Sequence, residues 1–106
     1  MNIEKIKVAV SDFNQWQGKA VIMYDSSDGD VWTDVFTDDE SYNSYRSETI
    51  FSLWIKGNFL GRNNTVSFEN LKKAIEYIEE NDVKTKDDAY THQFNIEKAI
   101  NVMAHV

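Results

Sequence analysis

Twelve side chains between Asp25 and Glu48 have the chemistry to bind a positively charged partner. This segment of 24 residues contains eight acids and one base, Arg46, so its formal charge of −7 equals that of the whole chain. Carboxylates attract cationic groups, and aromatic rings supply contact area of the kind found in binding hot spots. The predicted partner-binding residues are Asp25, Asp28, Asp30, Trp32, Asp34, Phe36, Asp38, Asp39, Glu40, Tyr42, Tyr45 and Glu48.

The same acids do not have the spacing of a calcium-binding loop. With Gly29 as the sixth position of an EF-hand loop, Tyr24 would have to be the first ligand and Val35 would replace the essential glutamate. The histidines of the chain, His92 and His105, do not form a closely spaced pair of ligands. We therefore expect no metal site, and no motif in the sequence predicts a cofactor.

The residue types give little support for catalysis. The chain has no cysteine and no Gly-x-Ser-x-Gly motif, and two histidines leave few options for a catalytic triad. The segment 57–63 contains two glycines but lacks the Gly-Lys-Ser/Thr ending of a phosphate-binding loop. We therefore expect no catalytic residues and a protein that is not an enzyme.

Composition limits the class of protein. A chain of 106 residues that is 42% hydrophobic and 13% aromatic predicts one globular domain over residues 1–106, because disordered chains contain fewer aromatics. No apolar run approaches the roughly 18 residues of a membrane span, and the lack of cysteine suits a reducing compartment, so we expect a cytoplasmic protein. A pI near 4.7 argues against direct binding to nucleic acid or anionic membranes, because phosphates require Lys and Arg.

Alternating apolar residues predict a strand near the N-terminus and a β-hairpin after it. Apolar residues that recur at every second position are typical of a half-buried strand. An Asp-Gly pair between two such runs favours a tight turn. The predicted elements are a strand with Ile6, Val8 and Val10 on one face, a loop over 11–18, and strands over 19–24 and 30–37 that flank a turn at 25–30.

The middle of the chain allows two interpretations. The residues 37–40 fit a capping box with acids in its first turn, so one interpretation is a helix that starts there. We favour a loop or short helix through Ser47, followed by a strand over 49–56. Glycine and asparagine residues in 57–64 then predict a turn, and with it a second hairpin.

Helical periodicity is clearest in the last third of the chain. Ser67 can cap a helix that ends near Asn81, and Thr85 or Asp87 can cap a second helix. Because neither helix can bury its apolar stripe alone, we expect both to pack on one face of the sheet. The predicted buried positions are Leu71, Ala74, Ile75 and Ile78 in the first helix, and Ala89, Ile96, Ala99, Ile100 and Met103 in the second, flanked by Tyr90 and Phe94.

The strand over 30–37 leaves two alternatives for its aromatic residues. Trp32, Asp34 and Phe36 share one face, whereas Val31 and Val35 share the other. If the valines face the core, the aromatic rings lie at the surface beside carboxylates and form an interaction site. If the aromatic rings face the core, they are structural and Asp34 is an unfavourable neighbour for them.

These patterns predict an α+β fold, with an antiparallel sheet of about four to five strands and two C-terminal helices packed on one face. The favoured function is a non-catalytic acidic inhibitor that binds the basic nucleic-acid-binding surface of a partner, such as a nuclease, by nucleic-acid mimicry. Small inhibitors that phages or plasmids carry against restriction or CRISPR nucleases have this kind of composition. Alternatives are an immunity protein that neutralises a nuclease toxin, and a small ligand-binding domain or enzyme with a pocket between sheet and helices.

Overall fold

In the computed structural model of the protein, the described residues are 1–16, 20–35, 52–56, 63–100 and 103–105. Within them, three strands form an antiparallel sheet in the order β2-β1-β3, and β4 and β5 form a separate two-stranded sheet. The elements are α1 Ile3–Trp16, β1 Ala20–Asp25, β2 Asp30–Val35, β3 Ser52–Lys56, β4 Asn63–Thr65, α2 Phe68–Glu80, α3 Lys86–Thr91, α4 Gln93–Ile100 and β5 Met103–His105.

The predicted N-terminal strand is wrong, because residues 3–16 form the helix α1. Its buried side chains are Ile6, Ala9 and Phe13, which are spaced three and four apart and therefore share one face of a helix. Val8 would lie beside Ile6 on a strand, but it is 58% exposed. The side chain of Asn2 accepts a hydrogen bond from the Lys5 backbone N–H and so begins the helix. The loop predicted over 11–18 is also helical as far as residue 16.

The predicted hairpin is confirmed over residues 20–35. β1 and β2 pair in register from Ala20 with Val35 to Asp25 with Asp30. Gly29 closes the turn at φ 76°, in the left-handed region that glycine adopts without steric cost. The strand predicted over 49–56 is confirmed for its described part, Ser52–Lys56, which pairs with the other edge of β1. The alternatives for 37–47 lie outside the described residues.

The single sheet of four to five strands is wrong. The residues expected to continue a second hairpin, Asn63–Thr65, pair instead with Met103–His105 at the other end of the sequence. Since the first predicted strand is a helix, three strands make up the larger sheet in the part of the chain that the structure describes. Pairing between segments about 40 residues apart has no local sequence signal, which explains the error.

The C-terminal helices meet the sheet less directly than predicted, with α2 reaching β1 through the bond between Tyr24 and Glu79. α1 packs against β1 and β2, and α2 packs against α1 and α4. Residues of all these layers meet in one core, with Phe13, Ile22 and Ile75 at most 1% exposed. Asn14 links α1 to the start of α2 by two hydrogen bonds. Its side-chain amide N–H donates to the Val66 carbonyl at 2.9 Å, and its side-chain oxygen accepts from the Val66 N–H at 2.9 Å.

Local predictions for the C-terminal helices largely hold. Ser67 caps α2, Asn81 ends it, and the four predicted core positions of α2 are buried. Thr85 caps α3 in a capping box with Asp88. However, the predicted second helix is two helices that meet at His92. Ile96 and Ile100 are buried as predicted, Ala89 and Ala99 pack partly against the core, Met103 belongs to β5, and Tyr90 and Phe94 are 72% and 76% exposed.

Truncation of α1 side chains distinguishes a helix from a strand. Ile6→Ala removes a fully buried side chain and should lower the free energy of unfolding by about 2–5 kcal/mol, because it leaves a cavity. Val8→Ala is the matched control and should change it by less than about 0.5 kcal/mol, because Val8 is exposed. Urea denaturation followed by circular dichroism gives both values. Equal losses in the two variants would contradict the helix.

Candidate functional site

The turn of the hairpin presents two carboxylates that order it. Asp25 Oδ1 accepts hydrogen bonds from the Ser27 hydroxyl at 2.7 Å and from the Ser27 backbone N–H at 2.9 Å. These two donors hold the pKa of Asp25 below its ordinary value. Asp28 Oδ1 accepts from the Asp30 backbone N–H at 2.9 Å. The turn thus holds two anionic groups at defined positions on the surface.

The third acid of the turn, Asp30, forms an ion pair with Lys5. Lys5 Nζ on α1 lies 2.7 Å from Asp30 Oδ1, and both side chains are partly exposed. The hydrogen bond and charge of Asp30 raise the pKa of Lys5. Lys5 therefore compensates part of the negative charge of the hairpin, and a partner cation at this point would compete with it.

Farther along β2, Trp32 and Asp34 form a hydrogen-bonded pair. The indole N–H of Trp32 donates to Asp34 Oδ2 at 3.0 Å, and both residues are half-buried. On the other face of the strand, Val31 is in the core and the Thr33 hydroxyl donates to the Ala9 carbonyl of α1 at 2.7 Å. The structure therefore matches the first alternative only in part: Val31 faces the core and Trp32 and Asp34 lie on the face away from α1, but Val35 is 37% exposed and Phe36 lies outside the described residues.

The described part of the chain contains five of the predicted partner-binding residues. Three lie at the turn and two lie along β2, so the hairpin carries them all. The remaining ones lie outside the described residues: Phe36, Asp38, Asp39, Glu40, Tyr42, Tyr45 and Glu48.

Glu79 at the end of α2 contacts the hairpin through Tyr24, which the sequence does not predict. The hydroxyl of Tyr24 donates to Glu79 Oε1 at 3.3 Å. Burial, the charge of Glu79 and the charges of Asp25 and Asp28 raise the pKa of Tyr24 to about 12. The N-terminal amine of Met1 lies 4.0 Å from the same carboxylate. Tyr24 is the one residue in the sequence that could indicate this contact, because a tyrosine in a buried strand needs a hydrogen-bond partner for its hydroxyl.

His92 has a structural role in the described contacts. Its Nδ1 lies 2.7 Å from the Tyr77 hydroxyl, which also accepts a hydrogen bond from the Asn95 amide at 3.0 Å. The Tyr77 hydroxyl is thus shared between the His92 ring and the Asn95 amide. The backbone N–H of His92 bonds to the Asp88 carbonyl and ends α3. The ring therefore joins the α3–α4 junction to α2.

Asp88 stabilises the start of the same helix. Its carboxylate accepts from the backbone N–H groups of Lys84 at 3.2 Å and Thr85 at 3.1 Å. The Lys84 hydrogen bond contributes most to holding the pKa of Asp88 below its ordinary value, followed by those of Thr85. This acid belongs to a helix cap and not to the hairpin surface.

The described residues give no sign of a metal centre or a membrane helix. Across 1–16, 20–35, 52–56, 63–100 and 103–105, no three His, Asp or Glu side chains group in a way that could hold a metal ion. In the same residues, the helices lack the length and apolarity needed to cross a bilayer. Comparison of the chain with protein-family models, curated proteins and solved structures finds no match.

Removal of the Tyr77 hydroxyl tests the tether at His92. Tyr77→Phe leaves Nδ1 of His92 and the Asn95 amide without their shared partner, so the free energy of unfolding should fall by about 1–2 kcal/mol. Tyr90→Phe removes an exposed hydroxyl and serves as the control, with an expected change within about 0.5 kcal/mol. Chemical denaturation measures both. If Tyr77→Phe and Tyr90→Phe change the free energy of unfolding equally, the structural role assigned to His92 is wrong.

Tyr24 predicts a loss of stability at alkaline pH. Its pKa is about 12 in the folded protein against an ordinary value of 10.0, so the unfolded chain loses this proton first. The contribution of the protonated hydroxyl to stability is complete below pH 10 and disappears as pH rises toward 12. Between pH 10 and pH 12, the midpoint of thermal unfolding should fall less for Tyr24→Phe than for the wild type. Tyr90→Phe should show the same fall as the wild type. If Tyr24→Phe leaves this fall in midpoint temperature unchanged, groups other than Tyr24 cause it.

Proposed function

We propose that this protein is a non-catalytic inhibitor whose acidic surface binds the basic nucleic-acid-binding surface of a partner protein, such as a nuclease. The observation that carries the proposal is the concentration of charge, because residues 25–48 alone hold a formal charge equal to that of the chain. Carboxylates on this segment would take the positions of phosphates in the partner's groove.

The contacts of the hairpin support this proposal in two ways. Asp25 and Asp28 are held in place by hydrogen bonds inside the turn, so less conformational entropy is lost when a partner binds them. Glu79 of α2 contacts the hairpin through its bond to Tyr24 and so adds a carboxylate next to β1. The acids around the hairpin therefore come from parts of the chain that are far apart in the sequence.

Electrostatic attraction of this kind makes association fast and sensitive to salt. The distance over which exposed charges interact falls from about 10 Å at 0.1 M salt to about 3 Å at 1 M. A partner that binds nucleic acid through the same basic groove cannot hold both ligands, so inhibition by this protein is competitive with DNA or RNA.

Charge reversal tests the proposal directly. Tagged protein is used to capture a basic partner from extracts of the source cells at 0.1 M salt, and the purified partner is then titrated against variants. Replacement of Asp34, Asp38 and Asp39 by Lys should reduce affinity by at least about tenfold for each close ion pair that is lost, since coupling energies of such pairs exceed about 1.4 kcal/mol. Affinity in the wild type should also fall steeply as salt rises.

The control reverses the same number of charges on the helices instead of the hairpin. Glu69, Asp87 and Glu97 are exposed on the helices, and their replacement by Lys changes the formal charge by the same amount. Glu79 is unsuitable as a control because it contacts the hairpin at Tyr24. Equal effects of the two triple variants would reject the proposal, as would a ternary complex in which the partner keeps its nucleic acid.

A further inference from the structure

We propose that Trp32 and Asp34 form a receptor for an arginine side chain of the basic partner. The inference rests on the proposed function and adds to it the group that the acidic surface recognises. Its basis is the 3.0 Å hydrogen bond from the indole N–H to Asp34 Oδ2 on the face of β2 away from α1.

The pair lies on β2, which is paired along its whole length with the central strand β1. Trp32 and Asp34 pair across the strands with Met23 and Val21 of the central strand β1, whose side chains share their face of the sheet and are 6% and 0% exposed, so buried apolar side chains flank the pair. Trp32 and Asp34 themselves are only half-buried, so part of each side chain remains open to solvent. Their mutual hydrogen bond restricts both rotamers before any partner arrives, and this order lowers the entropic cost of binding.

The chemistry of the pair suits a guanidinium group. The indole N–H occupies Oδ2 of Asp34, and Oδ1 retains lone pairs that can accept from a cation. A planar guanidinium stacks on an indole ring while its N–H groups donate to an adjacent carboxylate, and a lysine ammonium lacks this planar fork. Lys5, the lysine of α1 that reaches the hairpin, pairs with Asp30, and no ion pair within the described residues involves Asp34.

Two peptides of equal charge, nona-arginine and nona-lysine, separate this receptor from general electrostatic attraction. At matched salt, the wild type should bind nona-arginine about twofold to thirtyfold more tightly, the range expected of a cation–π contact. Trp32→Leu should abolish this preference, whereas Trp16→Leu, at a tryptophan 47% exposed on α1, should retain it. Asp34→Asn should weaken binding of nona-arginine more than that of nona-lysine.

A measurement on the wild-type protein tests the receptor even if the variants fail to fold. In ¹⁵N-labelled protein, nona-arginine should shift the indole N–H resonance of Trp32 more than that of Trp16, and nona-lysine should shift it less. Equal affinity for the two peptides, or a preference that survives Trp32→Leu, would overturn the arginine receptor while leaving the acidic surface intact. If neither peptide binds, both the receptor and the proposed function are rejected.

Discussion

The burial of one face of α1 between the sheet and α2 is the contact on which the rest of the fold depends. Neither the three-stranded sheet nor α2 can hide its apolar side alone, and α1 contacts both. Ile6 and Phe13 reach the shared core, where each is at most 1% exposed. Two hydrogen bonds between the Asn14 side chain and the Val66 backbone, one donated by each residue, then hold the end of α1 against the start of α2. Loss of this helix would expose the core on both sides.

The same packing determines which chemistry the hairpin shows to solvent. Because Val31 enters the core and Thr33 bonds to a carbonyl of α1, the two-residue period of β2 turns Trp32 and Asp34 to the opposite face. A shift of one residue in register would exchange these faces and bury a carboxylate. The orientation of the candidate site is therefore a consequence of core packing.

Local signals explain what the sequence predicts correctly. The Asp-Gly turn of the hairpin and the caps at Ser67 and Thr85 are each set by residues a few positions apart. Helix α1 is not predicted because the alternation of Ile6, Val8 and Val10 competes with a helical stripe of Ile6, Ala9 and Phe13, and the cap at Asn2 is a weaker local signal. Distant partners carry no such signal, so the pairing of β4 with β5 and the approach of Glu79 to the hairpin could not be predicted.

The ion pair between Lys5 and Asp30 gives the acidic surface an internal counter-ion. As part of the same chain, Lys5 competes at a high effective concentration with any external cation for this carboxylate. An isolated lysine of an unrelated protein must displace it and gains little, since exposed pairs contribute about 0–1 kcal/mol. A partner that presents several cations together can leave the Lys5 pair intact and engage the neighbouring carboxylates. Under the proposed function, Lys5 therefore favours partners that present several cations over partners that present a single one.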